Sequence, residues 1–229
     1  MKTFNFVLYG IFPYIAIFTF IFFSIYRYTR RGYSYSSLSS QFLENRIHFW
    51  ALVPFHFGII FIFLGHLVAF LLPTYILSWN SDLTRLYILE ISAFMGGLFT
   101  LMGMLAIFIR RWTNPRAKIV TSRMDWIVLA LIMIQVLSGL GTAVFNSWGS
   151  SWFTAVANPY LMSLLRMDPQ VGFIAPLPWM IQLHIVGAWL TLFLFPFSRL
   201  VHILVVPNPY LWRKPQMVRW NWNPKKRFI

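Results

Sequence analysis

Five long apolar stretches limit, more than any other feature, how this chain can fold. An α-helix needs about 20 apolar residues to cross ~30 Å of hydrocarbon, and each stretch is of that order. Only 10% of the 229 residues are charged, whereas about a quarter are charged in a typical soluble domain. We therefore predict an all-α membrane protein with a single domain, a bundle of five transmembrane helices. The predicted spans are about residues 4–26, 51–72, 85–109, 125–145 and 178–206, followed by a tail at 207–229.

The basic residues lie mainly between and after these stretches and account for the net charge of +14. The loops after the first and third stretches and the C-terminal tail carry most of them, whereas only Lys2, Arg85 and Arg166 fall on the other side. Basic loops stay in the cytoplasm. The sequence thus predicts a multi-pass protein of the cytoplasmic membrane, with its N-terminus outside and its C-terminus in the cytoplasm. This distribution argues against nucleic-acid binding.

Four of the five histidines lie inside predicted spans, and they occupy only two of them. His56 and His66 lie on the second span, and His184 and His202 lie on the fifth. An ionisable side chain within a span is costly and suggests a functional site. A lone histidine could simply bond to a neighbouring helix, but four on two helices, with almost no acidic partners, favour metal ligation.

Depth in the membrane sorts these histidines into two pairs. In the predicted orientation His66 and His184 lie at similar distances from the outer ends of their spans, and we call them the outer pair. His56 and His202 lie near the inner ends and form the inner pair. At ~100° per residue, His184 and His202 lie on the same face of the fifth span. On the second span, His56 and His66 lie about 80° apart around the helix axis. Each span can therefore direct both rings into the same interior.

The distances between the histidines along the two helix axes fit this pairing less well than the directions of their side chains. At 1.5 Å per residue, the spacing on the second span gives ~15 Å and that on the fifth span gives ~27 Å. Two imidazole nitrogens on one metal must lie within about 4 Å of each other. We therefore expect helix tilt and a bend at Pro196 to absorb the difference.

The arrangement of the ligands indicates which cofactor they hold. A single zinc site would gather its ligands at one depth, whereas these form two separated pairs without carboxylates. Two trans imidazoles are what a six-coordinate haem requires. The chain contains no cysteine, so covalent C-x-x-C-H attachment and iron–sulfur ligation by this polypeptide are excluded. The sequence therefore predicts two non-covalent haem b groups. Arg110, Arg111 and Arg199 could contact the inner propionates, or they could act only as positive-inside anchors.

Three segments of the chain resemble the gamma subunit of respiratory nitrate reductase, a membrane cytochrome b. They are FHFGIIFIFLGHL at 55–67, FPFSRLVH at 195–202 and YLWRKPQMVR at 210–219. The likeness extends over essentially the whole chain and includes both histidine pairs. It implies that the outer pair holds the outer haem and that the inner pair holds the inner haem.

The same resemblance implies a function and partners. Quinol would be oxidised near the outer haem with release of protons outside, and electrons would pass through the inner haem. They would then reach the iron–sulfur beta subunit and the molybdenum-containing alpha subunit on the cytoplasmic side. Relatives can place a lysine early in the third helix, near the quinol, but Glu90 holds that place here. We expect Glu90 to accept a quinol proton, or to pair with Arg85 or the backbone.

Two other classes of protein are compatible with parts of this pattern. A cytochrome b subunit of another quinone-linked oxidoreductase, of the nitrite oxidoreductase or disulfide-reductase type, would have similar helices. A transporter or a cofactor-free membrane anchor is the second alternative. Transporters tend to show internal repeats and broken helices at the midplane, which this sequence does not predict, and an anchor would have no use for the histidine pairs.

Overall fold

The computed structural model describes residues 2–30 and 46–204, and within them it contains helices and no strand. It confirms an all-α fold with five helices long and apolar enough to cross a membrane. We number these spans 1 to 5 in chain order. They are Thr3–Arg30, Trp50–Leu71, Leu83–Thr113, Arg123–Phe145 and Trp179–Phe197. The predicted tail at 207–229 lies outside the described residues.

Polar side chains define where spans 3 and 4 begin. The Asp82 carboxylate accepts a hydrogen bond from the Arg85 backbone N–H at 3.0 Å, at the start of span 3. Ser122 and Asp125 form a reciprocal capping box at the start of span 4. Such caps satisfy N–H groups that have no partner within the helix. These two helix starts are therefore fixed locally by the sequence.

Spans 2 and 3 pack closely along a line of small residues. Gly58 lies against Thr100 and Gly96, and Gly103 lies against the backbone of Phe55. A Cβ atom at Gly103 would collide with the Phe55 backbone, so the two helices can approach this closely only without a side chain there. Small residues commonly allow such contacts between helices in lipid. This contact fixes span 3 against Phe55, the residue of span 2 that precedes His56.

The connection between spans 4 and 5 is largely helical. It contains α-helices Gly149–Trp152 and Asn158–Leu165, separated by a π-helical turn at Phe153–Ala157. The Tyr160 hydroxyl donates to the Tyr9 carbonyl at 2.8 Å, and both side chains are buried. This hydrogen bond ties the connection to span 1. The five predicted spans do not include this segment.

The prediction of one continuous helix over 178–206 is wrong beyond Leu194. The α-helix Trp179–Leu194 is followed by two 3₁₀ segments, Phe195–Phe197 and Arg199–Ile203. Ser198 between them is extended, with φ −111° and ψ 179°. Proline has no N–H, and its ring clashes with the carbonyl four residues earlier. Pro196 therefore ends the α-helix instead of only bending it.

Candidate cofactor site

The structure brings the four intramembrane histidines together in the two predicted pairs. The ring centroids of His66 and His184 are 6.4 Å apart, with 34° between the ring planes. Those of His56 and His202 are 6.3 Å apart, with 70° between the planes. Span 2 therefore faces span 5 at one level, through His66 and His184, and faces the segment after span 5 at the other, through His56 and His202.

The spacing within each pair matches two imidazoles on a single metal ion. With metal–nitrogen bonds of about 2.0 Å and a ring radius of about 1.2 Å, two trans imidazoles have centroids about 6.4 Å apart. Two protein ligands leave four positions of a six-coordinate iron, the number that a porphyrin supplies. Within residues 2–30 and 46–204, no group of three or more histidine, aspartate or glutamate side chains is placed to hold a metal. The residues present thus fit bis-imidazole haem better than a zinc site.

All four imidazoles use Nδ1 for hydrogen bonds inside the protein. The Nδ1 contacts are to the carbonyls of Leu52 for His56 at 2.9 Å, Ile62 for His66 at 2.9 Å, Gln135 for His184 at 3.1 Å and Arg199 for His202 at 2.7 Å. A carbonyl can only accept, so each Nδ1 carries the proton. Each Nε2 then has a lone pair available for a metal. A backbone carbonyl on the second nitrogen is a usual feature of metal-bound histidine.

The break in span 5 removes the discrepancy in axial rise. A continuous helix would place His184 and His202 ~27 Å apart along its axis, but the helix ends at Leu194. His202 lies instead on the 3₁₀ segment after the extended Ser198. The chain therefore no longer rises along one axis, and His202 can reach the level of His56. The prediction located the disruption at Pro196 but not its extent.

Arg27 of span 1 stabilises this break. Its guanidinium donates to the carbonyls of Pro196 at 2.6 Å and Ser198 at 3.0 Å. The Ser198 hydroxyl donates to the Phe195 carbonyl at 2.9 Å and accepts from the Leu200 N–H at 3.2 Å. Backbone groups released from a helix inside a membrane must find such partners. Sequence reasoning treated Arg27 only as a positive-inside anchor, and no local signal distinguishes it from its basic neighbours.

The three arginines expected near the inner propionates lie at one end of the bundle, and two of them contact the buried Asp125. Its carboxylate is 3.1 Å from the Arg199 guanidinium and 3.9 Å from that of Arg111. Arg199 also donates to the Val120 carbonyl at 2.7 Å. Arg110 is itself buried. Asp125 was predicted only as the start of a helix, and its contacts with arginine depend on how spans 3 and 4 pack with the segment after span 5.

Glu90 contacts the backbone and not Arg85. Its carboxylate accepts from the Ser150 N–H at 2.8 Å and from the Ser150 hydroxyl at 2.6 Å, whereas Arg85 lies 3.8 Å from Asp82. Trp148, just before this contact, has a left-handed backbone with φ 65°. A bulky residue rarely adopts that conformation without compensation from its surroundings. The backbone contact that we considered for Glu90 is therefore present.

The segment that holds Glu90 also reaches the outer pair. Phe153, three residues after Ser150, packs edge-on against the His66 ring with centroids 5.3 Å apart. The second carboxylate oxygen of Glu90 faces Gly149, where a Cβ would lie 3.5 Å from that oxygen and 3.8 Å from the Trp152 indole nitrogen. That buried nitrogen has no hydrogen-bond partner among the described residues. One short stretch of chain therefore connects Glu90 with the outer pair.

Comparisons with known proteins identify the family of this chain. The family model described as nitrate reductase gamma subunit matches residues 5–221. The chain is 32% identical to the respiratory nitrate reductase 1 gamma chain of Escherichia coli strain K12, over 96% of this chain and 99% of that relative. It is 31% identical to the respiratory nitrate reductase 2 gamma chain of the same organism, over 94% and 96%. It is 28% identical to the nitrate reductase gamma chain of Bacillus subtilis strain 168, over 90% and 94%. The chain therefore belongs to the nitrate reductase gamma subunit family.

Proposed function

We propose that this chain is the di-haem cytochrome b subunit of a membrane-bound nitrate reductase. In this proposal it oxidises quinol near the outer face of the cytoplasmic membrane and passes electrons to an iron–sulfur beta subunit. A molybdenum-containing alpha subunit on the cytoplasmic side would receive them next. The observation that carries the proposal is the spacing of the histidine pairs, 6.3 and 6.4 Å between ring centroids.

The side chains have distinct roles in this proposal. His66 and His184 would hold the outer haem through Nε2, and His56 and His202 would hold the inner haem in the same way. Bound haem would supply one-electron transfer at each level. The imidazoles fix where this happens, since each ring is restrained through Nδ1 by the backbone. His66 and His202 are exposed on the chain surface, and a polar ring in lipid is costly unless another group covers it.

The basic cluster at the inner end suits the haem propionates. Arg110, Arg111 and Arg199 are cationic, and they lie at this end of the bundle together with the buried Asp125. Guanidinium groups suit carboxylates such as haem propionates, because they can donate two parallel hydrogen bonds to them. Arg199 also lies on the 3₁₀ segment that carries His202, and its carbonyl accepts from that ring. The three arginines are therefore proposed to contact the inner propionates, with Asp125 holding two of them in place.

Glu90 is proposed to accept a proton from quinol. Oxidation of one quinol releases two electrons and two protons, and these protons must leave through groups that can carry them. Glu90 is a carboxylate in span 3 beside the segment that contacts His66. Ser150 holds one carboxylate oxygen, and the other faces Gly149, which has no side chain. The second oxygen is therefore the proposed proton acceptor.

An optical spectrum of the purified protein tests the proposed function. Dithionite reduction is expected to produce b-type absorption bands, and haem extraction should give about two haems per chain, one for each bis-imidazole site. A folded preparation without porphyrin would contradict the proposal and would favour a cofactor-free anchor. Co-purification with a soluble partner other than a nitrate reductase would favour another quinone-linked oxidoreductase.

Replacing Glu90 by glutamine tests its role in proton transfer. Glutamine keeps a carbonyl oxygen that can accept from Ser150, so the fold and the haem content should be unchanged. A positioned acid–base group typically contributes about a hundredfold or more to a rate. We therefore expect haem reduction by quinol to slow about a hundredfold, measured by stopped-flow absorption.

Asp82→Asn provides the matched control, because Asp82 is at the same end of span 3 and its carboxylate contacts only Arg85 among the described residues. This variant should reduce its haem at the normal rate. If Glu90→Gln also did so, Glu90 would be only an anchor for Ser150, and its catalytic role would be refuted.

A further inference from the structure

His184 is held differently from the other three histidines. Their Nδ1 atoms contact carbonyls on their own segments of chain. The Nδ1 atom of His184 contacts span 4 instead, where it lies 3.1 Å from the Gln135 carbonyl and 3.1 Å from the Ser138 hydroxyl. Span 4 carries none of the four histidines, but it holds His184 in position.

Span 4 forms a closely fitting seat for this ring. Ser138 is buried, and its hydroxyl donates to the Gln135 carbonyl at 3.1 Å. A Cβ atom at Gly139 would lie 3.0 Å from the His184 Cε1 atom and 3.5 Å from its Nδ1 atom. The Ser138 hydroxyl, the Gln135 carbonyl and the backbone of Gly139 thus all lie against the same edge of the His184 imidazole. Rotation of the ring would break these contacts.

We propose that Ser138 is a positioning residue that orients His184 and lowers the redox potential of the outer haem. This inference rests on the proposed function. A hydrogen bond from Nδ1–H to an acceptor increases the electron density on Nε2 and makes the imidazole a stronger donor. A stronger donor stabilises the oxidised iron, and hydrogen bonding to axial ligands is one way in which proteins adjust haem potentials. The Ser138 hydroxyl provides a second acceptor beside the Gln135 carbonyl.

The test is a potentiometric titration of the full chain carrying Ser138→Ala, followed by optical absorption and by electron paramagnetic resonance. We expect the variant to bind both haems. The potential of the outer haem should shift to a more positive value, and its resonance signal should change. The inner haem should keep the wild-type potential and signal, because His56 and His202 have no contact with Ser138 among the described residues.

Two further variants serve as controls on span 4. Thr142→Ala removes another buried hydroxyl, about one helical turn after Ser138. This hydroxyl has no hydrogen-bond partner among the described residues. It should leave both potentials unchanged. Gly139→Ala places a methyl group against the His184 ring, and it should reduce the amount of outer haem bound.

An unchanged outer potential in Ser138→Ala, or equal shifts of both haems, would overturn the inference. If the alanine variant did not assemble, Ser138→Cys would decide, since cysteine has the shape of serine with a somewhat larger terminal atom and is a weaker acceptor. The same positive shift would then be expected, and its absence would refute the role. A wild-type protein without haem would contradict the proposed function itself. Two haems in the wild type and no shift in the variants would contradict only the role of Ser138.

Discussion

Replacing His66 by alanine is expected to remove the outer haem while the inner haem stays bound. His66 and His184 lie on different helices, so the loss of one imidazole would leave a single histidine to hold a haem at that level. The inner pair depends on other contacts, through Leu52 and Arg199. Total haem should therefore fall by about half. Haem reduction by quinol should be lost as well, since the proposed quinol oxidation takes place near the outer haem.

Two comparisons make this experiment specific. His202→Ala should have the opposite selectivity, with loss of the inner haem and retention of the outer one. His48→Ala should retain both haems, because His48 precedes span 2 and is not part of either pair. The measurements are haem per chain and the spectra of the two haems. Retention of both unaltered cofactors in His66→Ala would contradict the assignment of the ligands.

The fold was largely predictable because apolar length is a property of the sequence alone. Five apolar stretches predicted five spans, and the structure confirms five helices of sufficient length. The end of span 5 was not predictable in the same way. Pro196 signalled a disruption, but the form that it takes depends on Arg27, which lies 169 residues earlier in the chain. A contact between distant helices leaves no periodic pattern in the sequence.

The candidate site was predictable to the same extent and for the same reason. The depth and direction of a residue on a helix follow from its position, so the pairing of His56 with His202 could be inferred before the structure was known. The groups around the pairs could not be predicted. Ser138 contacts His184, and Asp125 contacts Arg199, only because span 4 packs on its neighbours, and each has the appearance of an ordinary polar residue in the sequence.

Arg27→Met is expected to destabilise the break in span 5 and to remove the inner haem. Methionine keeps an apolar stem but has no N–H donor, so the carbonyls of Pro196 and Ser198 would lose the hydrogen bonds they receive from Arg27. A buried polar group left without its partner costs about 1–3 kcal/mol, and more where the partner was charged. The segment that carries His202 begins at the next residue, Arg199. A rearrangement at the break should therefore move this ligand away from His56.

The effect of Arg27→Met should be confined to one level of the bundle. The outer pair is held by the Ile62 carbonyl on span 2 and by span 4. These hydrogen bonds do not involve Arg27 or the carbonyls that accept from it. We expect loss of the inner haem signal, retention of the outer one and a lower thermal stability. Arg30→Met is the matched control, since Arg30 is an exposed arginine in the last turn of the same helix, and it should retain both haems. If Arg27→Met bound both haems with unchanged potentials, the break would not depend on this guanidinium, and the position of His202 would have to be maintained by the 3₁₀ segments and Ser198 alone.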